Sequence, residues 1–463
     1  MTVDRSRLPL SGPEPAFAFP EIRRRHLGNG IDAWTAVHGE VPLLSILVLI
    51  RGGAAFDPAT RPGLAAITGD LLDEGCGDLD ALALHDALAR LGAQLDTEVG
   101  SDATIVGITT LERSAPRSMA LLAEMIANPR LHAGDFDRVR DLRLNRLLQM
   151  REMPPALAER VFARCLYGAH PYGHLPIGDQ NSLRAMSVGE TQAFHRQIYQ
   201  PSRTTVIAVG NGSHDSLAEA IDVAFGGWRT EAIGESLEDP AALPIPPGQL
   251  QMAIVPRAAA PQSELRIGHV GVSRNTSDYH ALVTMNLVLG GQFVSRINSN
   301  LRERKGYTYG ARTSFEFRRG RGPFSFYASV QSDATADAIR EAVSELEAIR
   351  GSRPVTSEEL ELGRAPLTRG YPRGFETAEQ VARAIAQIAL YDLPDDYFTT
   401  FVPKVQALTP EDLTRVADAH IDPSRLLTVI VGDPEKIGAV GELGLGQPVT
   451  VETNGSGERP TST

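Results

Sequence analysis

No long apolar run appears in this chain. The longest, VPLLSILVLI at Val41–Ile50, is about half of what a membrane-spanning helix needs, and Glu40 and Arg51 bracket it. It has the length of a buried strand. The opening MTVDRSRLPLSGPEPAFAFPEIRRRH lacks a basic-then-apolar leader, which implies a cytoplasmic protein, or a periplasmic one if the true start lies elsewhere. Cysteine is scarce. Cys76 and Cys165 form no CxxC pair, so a disulfide framework is excluded and both read as packed thiols in a reducing compartment. Positive charge is short as well: Lys+Arg 45 against Asp+Glu 57 leaves −12. A nucleic-acid binder's footprint is absent, and neither nucleic acid nor membrane is expected as a partner.

Catalytic signatures are few. Neither HExxH nor HxxEH occurs among the eleven histidines, and there is no GxGxxG, P-loop or GxSxG pattern. The one close histidine pair, His170/His174 in HPYGHLPIG, sits among prolines and glycines that disfavour a ligand-bearing helix. A structural turn is the expectation there, with loop ligation as the other reading. The segment GLAAITGDLLDEG, Gly63–Gly75, carries Asp70, Asp73 and Glu74. Without histidine it would suit only a hard oxygen site for Mg²⁺ or Ca²⁺, and a solvated acidic helix end is the plainer reading.

What is present is duplication. At 463 residues the chain is long enough for two or three domains. HRQIYQPSRTTVIAVGN at His195–Asn211 resembles DAHIDPSRLLTVIVGD at Asp418–Asp433. Pro201/Pro423, Ser202/Ser424, Arg203/Arg425 and Gly210/Gly432 are each separated by 222 residues, as are Ser187 and Thr409, both candidate N-caps. The expected organisation is an N-terminal extension (1–19), a first domain (20–230), a Pro-rich acidic linker (231–250), a second domain (251–440) and a flexible tail (441–463) poor in apolar residues. Strands expected over Ile31–Val37, Leu44–Arg51, Gln94–Val99 and Thr104–Thr110 mix with helices over Leu64–Glu74, Leu82–Leu91 and Ala115–Ala127. The second half repeats the theme with strands near Gln251–Pro256, Glu264–Val270, Tyr309–Phe317 and Phe324–Val330. Without strict strand–helix alternation, the fold class is α+β: in each half a mixed, mostly antiparallel sheet with helices on one face.

Between those strands stands LRERKGYTYG, Leu301–Gly310, a basic cluster that reads as a helix end entering a strand. Together with RGGAAFDPATRPGLAAITGDLLDEG, HDALARLGAQLDTEVGSDAT, HPYGHLPIG, LGGQFVSRINSNLRERKGYTYG and the paired PSR…VG strands, it makes the chain resemble the pitrilysin/insulinase-type inverzincin peptidases in their short, two-domain form. The likeness runs from about Pro20 to Gly438. It implies two homologous domains enclosing a chamber with a partner subunit. In active members the helix after RGG…PG carries HxxEH; those positions fall here on Ala66, Gly69 and Asp70, and the distal glutamate ligand falls near Arg146. The resemblance therefore implies no metal in this chain, with zinc expected in a homologous partner subunit.

The same resemblance assigns Arg302 and Tyr309, seven residues apart, to the substrate backbone and the oxyanion of the tetrahedral intermediate. A guanidinium offers a fixed fork of donors and a phenol one directed hydrogen bond. The implied function is that of a non-zinc subunit: no metallopeptidase alone, part of one when paired, acting on a peptide substrate. The alternatives are a scaffold or substrate-presenting subunit, in which LGGQF and RRGRGPF would gate or bind a partner, and a homodimer when the chain is alone. In the family a peptide adds as a strand beside LDTEVGSDAT; here Asp96 and Thr97 depart from the usual pair and no docking is assigned there.

Overall fold

The computed structural model describes residues 17–230, 237–248, 250–454 and 457–460. Most of the expected N-terminal extension and parts of the linker and tail, including 231–236, 249, 455–456 and 461–463, lie outside the described residues.

In chain order the strands of the first half are β1 (Ile22–His26), β2 (Asp32–Val37), β3 (Leu43–Ile50), the short hairpin β4 (Gly75–Cys76) and β5 (Leu79–Asp80), then β6 (Gln94–Val99), β7 (Thr104–Leu111) and β8 (Thr204–Gly210). Six of them form one sheet in the order β1-β2-β8-β3-β7-β6, antiparallel except where β2 runs parallel to β8. The second half supplies β9 (Met252–Pro256), β10 (Gln262–Val270), β11 (Thr308–Phe315), β12 (Pro323–Gln331), β13 (Leu427–Gly432), β14 (Pro448–Asn454) and β15 (Gly457–Pro460). Its order is β11-β12-β10-β13-β9-β14-β15, with β13 parallel to β9. The run β9-β13-β10-β12-β11 thus repeats β2-β8-β3-β7-β6, and the duplicated PSR…VG segments become the matching central strands β8 and β13. The tail expected to be flexible is not so over its middle: β14 pairs parallel to β9 and buries Val451.

Central strands read as continuous apolar runs because both faces of each sheet are covered. In the first sheet Ile46, Val48, Ile50, Val206 and Ala208 pack against the helices Leu64–Asp70, Ala115–Ala127 and His214–Phe225 of the same half. Their sequence neighbours Leu47, Leu49, Ile207 and Val209 point the other way, since strand side chains alternate, and meet Val381, Ile385 and Ile388 of the helix Ala378–Tyr391 from the second half. The exchange is reciprocal. Val255, Leu427, Val429 and Val431 of the second sheet pack against Leu157, Val161, Phe162 and Leu166 of the helix Pro154–Tyr167 from the first half. The α+β class is therefore right, but the expectation of helices on one face is corrected: a helix from the other half covers the opposite face of each sheet. Burial of these alternating rows stabilises each sheet at roughly 25 cal/mol per Å² of apolar surface removed from water.

A polar junction also joins the halves. Tyr172 of HPYGHLPIG donates its hydroxyl to Asp102 Oδ1 at 2.5 Å and accepts from the Gly320 N–H at 3.0 Å. Asp102 Oδ2 accepts from the Arg319 N–H at 2.8 Å, and Tyr167 donates to the Arg321 carbonyl at 2.9 Å. The Arg318 guanidinium lies 4.8 Å from the Tyr172 ring centre.

Candidate functional site

The helix Leu64–Asp70 begins after Gly63, whose φ of +98° and contact with Gly178 leave no room for a side chain: a Cβ would stand 2.9 Å from Gly178 Cα. Asp57 fixes this start, accepting from the N–H groups of Gly63 at 2.7 Å and Ala65 at 2.6 Å, as a carboxylate at a helix N-terminus does. His174 joins that cap, with Nε2 3.1 Å from Asp57 Oδ2 and 3.0 Å from the Ala54 carbonyl. His170 faces its own turn, its Nδ1 accepting from the Tyr172 N–H at 3.1 Å. The two imidazoles of HPYGH thus serve separate structural contacts.

The helix places Ala66, Gly69 and Asp70 beside the long helix Ala133–Arg151, which carries Arg146. These positions do not fit zinc. Ala66 is buried and offers no donor atom. A Cβ on Gly69 would come within 2.6 Å of Val99 Cγ2, so a glutamate there would have to displace Val99. Asp70 Oδ2 accepts from Arg143 Nε at 2.6 Å, and Arg146 brings a cation where a metal needs a carboxylate. Among the described residues no group of three or more His, Cys, Asp or Glu side chains gathers as a metal site. The expected helix through Glu74 tightens after Asp70 into a 3₁₀ turn, Leu71–Asp73. Glu74 pairs with Arg138, and Asp73 faces His85 at 3.7 Å.

The second-half site is built by an irregular turn. The helix Tyr279–Asn286 runs into a π-helical turn at Leu287–Gly291, and a second π-helical turn spans Asn298–Arg304, where the Lys305 N–H bonds the Asn300 carbonyl at 3.0 Å. Such turns are rare and gather at functional sites. Asn298 ties the segment down: its amide donates to the Ala311 carbonyl at 2.8 Å and accepts from the Ala311 N–H at 2.9 Å. Arg302 sits on this turn with its guanidinium 3.7 Å from the Phe293 ring centre. Its Nη1 lies 2.9 Å from Glu303 Oε1 without an aligned hydrogen bond, so that N–H is buried and unsatisfied.

Tyr309 follows at the start of β11, where the pairing with β12 slips between Thr308 and Ala311. Thr308 turns its hydroxyl back to the carbonyls of Ser329 at 2.6 Å and Gly310 at 2.9 Å. A bulge of this kind re-aims a side chain, and the Tyr309 phenol is 92% exposed. No other described side chain bonds it. The family resemblance singled out the pair in the sequence; Phe293, 63% exposed beneath Arg302, was missed. Its signal was an aromatic in a glycine-led loop, LGGQF. The other glycine-rich segment, RRGRGPF, is held by the Tyr172 hydroxyl at the Gly320 N–H and by Asp102 at the Arg319 N–H.

With this geometry in view, the architecture is that of a duplicated two-sheet α+β chain whose first half gathers no metal-ligand group among the described residues. Residues 40–174 match the family model described as insulinase (peptidase family M16), and residues 185–367 match the one described as the peptidase M16 inactive domain. The chain belongs to the insulinase family of peptidases, family M16. Its relatives include an uncharacterized zinc protease of Mycobacterium bovis, 24% identical over 433 residues, covering 92% of this chain and 96% of the relative. A protein of Helicobacter pylori named a non-peptidase homolog is 19% identical over 404 residues, covering 86% of this chain and 90% of the relative. Among solved structures, a peptidase M16 inactive domain from Pseudomonas fluorescens superposes with a TM-score of 0.80 at 23% identity, covering 89% of this chain and 98% of that one. A chain of Complex III2 from Candida albicans reaches a TM-score of 0.74 at 14% identity, covering 91% and 99%. No helix among the described residues is long and apolar enough to cross a membrane.

Proposed function

We propose that this chain is the non-zinc subunit of a heterodimeric metallopeptidase, with a homologous partner supplying the HxxEH zinc site. Zinc in that partner would supply an activated water, and this chain would act on the substrate. The observation that carries the reading is the presentation of Tyr309: a bulge extrudes it to 92% exposure with no bond to any other described side chain, seven residues after Arg302, whose guanidinium keeps one N–H unsatisfied. Arg302 would bind a carbonyl of the extended substrate, and the Tyr309 phenol would donate to the oxygen on which charge develops. A directed donor at such an oxygen is worth on the order of 10²–10³ in rate. The two units near 20–230 and 251–440 would form half of the chamber and the partner the rest. The inactive-domain model and the non-peptidase name of the Helicobacter relative support a chain that is not a peptidase alone.

The test is cleavage by the mixed pair. Arg302→Ala and Tyr309→Phe should each lower turnover by about 10²-fold with assembly intact. Wild-type cleavage by both variants overturns the reading. It would favour a scaffold or substrate-presenting subunit instead, a role for which the likeness to a chain of Complex III2 is the supporting observation.

A further inference from the structure

The helices Leu64–Asp70, Ala81–Leu91 and Ala133–Arg151 and the edge strand β6 enclose a cleft of about 810 Å³, at the place where the resemblance puts a metal in active relatives. Its charges pair off, with one exception. Asp70 holds Arg143 at 2.6 Å, Glu74 holds Arg138, and Asp96 accepts from Arg383 at 2.6 Å, a residue reaching over from the Ala378–Tyr391 helix. Asp73 faces His85 at 3.7 Å. Arg146 lines the same cleft, exposed, with no ion pair or hydrogen bond to any described residue. One turn away, Nη1 of Arg143 is buried without a hydrogen-bond partner. The amides of Asn145 and Gln149 add neutral donors, while Leu88 and Leu142 give an apolar wall.

We infer that this cleft is a carboxylate-binding site that takes an acidic peptide, with Arg146 as the recognising cation. A guanidinium is the side chain best shaped for a carboxylate, binding it through two parallel N–H bonds. The volume exceeds what a single small anion fills, and the amides and leucines suit the peptide flanking the acid. The assignment is independent of the role given to Arg302 and Tyr309, which lie in the other half.

The test uses the full chain and fluorescently labelled short peptides of Ala, Ser and Thr, acetylated and amidated at their ends. One carries a central Glu, one a central Gln, and a third is the Gln peptide with a free C-terminal carboxylate. The Glu peptide should bind about tenfold tighter than the Gln peptide, with an advantage that shrinks in salt. Arg146→Gln, at an exposed position that leaves the fold intact, should erase the difference, while Arg302→Ala should not. If only the free-carboxylate peptide gains, and loses that gain in Arg146→Gln, the site holds with a chain terminus as the source. Equal binding of all three peptides, or the same preference in Arg146→Gln, overturns the assignment.

Discussion

Asp70 and Arg143 form an ion pair at 2.6 Å that ties the Leu64–Asp70 helix to the Ala133–Arg151 helix. The Arg143 side chain is 12% exposed and Asp70 44%, so removing the carboxylate strands a largely buried cation. Asp70→Ala should cost about 1–3 kcal/mol, less than a fully buried pair because water reaches the carboxylate. Chemical denaturation monitored by circular dichroism checks it, and no loss of stability would show the pair to be ornamental.

Rebuilding the family motif should fail for a steric and an electrostatic reason. The variant carrying Ala66→His, Gly69→Glu and Asp70→His should retain no stoichiometric zinc after dialysis, measured by elemental analysis. Val99 blocks the glutamate and Arg146 repels the metal. Adding Val99→Ala and Arg146→Glu should be required before metal is held, because a tetrahedral site needs its third protein ligand and room for the general base.

Phe293 should matter to Arg302 more than to folding. Its ring is exposed, so Phe293→Ala should change stability by less than about 1 kcal/mol, while freeing the guanidinium from a contact worth roughly 0.5–2 kcal/mol. In the mixed pair, Phe293→Ala should lower turnover by about tenfold, and Phe293→Tyr, which keeps the stacking, should restore it. Equal turnover of both variants with wild type would show that stacking does not orient Arg302.

Tyr172→Phe should loosen the junction between the halves. It removes the donor to Asp102, which is buried, leaving that carboxylate with the Arg319 N–H among its described partners. A cost of about 1–3 kcal/mol is expected by calorimetry. Limited proteolysis should then cut within the Arg318–Phe324 loop, which the wild type protects.

Acid should destabilise the protein through buried imidazoles. His195 donates Nε2–H to the Ile126 carbonyl at 2.8 Å and stacks on Tyr199, and desolvation lowers its pKa from 6.5 to about 4. The unfolded chain therefore binds a proton that the folded one refuses between those values. Stability is full above about pH 6.5, falls as the pH drops toward 4, and loses roughly 3 kcal/mol from this group. His280, lowered to about 4 by burial, acts in the same direction. His195→Gln, which can still donate to Ile126, should flatten the pH dependence of urea unfolding; an unchanged slope would remove His195 as a cause.

Much of the first-order reading was local and so was legible in one dimension. The 222-residue offset of the PSR…VG segments became strands β8 and β13 in matching sheets, because a buried parallel pair demands an apolar run with the same turn before it. The missing HxxEH ligands and the seven-residue spacing of Arg302 and Tyr309 needed no structure to be seen. Three features were decided only by the tertiary structure. An apolar helix face does not say which sheet it will cover, because the hydrophobic effect has no direction; the helices Pro154–Tyr167 and Ala378–Tyr391 each went to the other half's sheet. The exposure of Tyr309 depends on a register slip that Thr308 enforces through a hydroxyl bond to another strand. The isolation of Arg146 depends on where four carboxylates found their partners, one of them on Arg383, 287 residues away from Asp96. Each is a long-range pairing, set by which groups meet when the chain closes on itself.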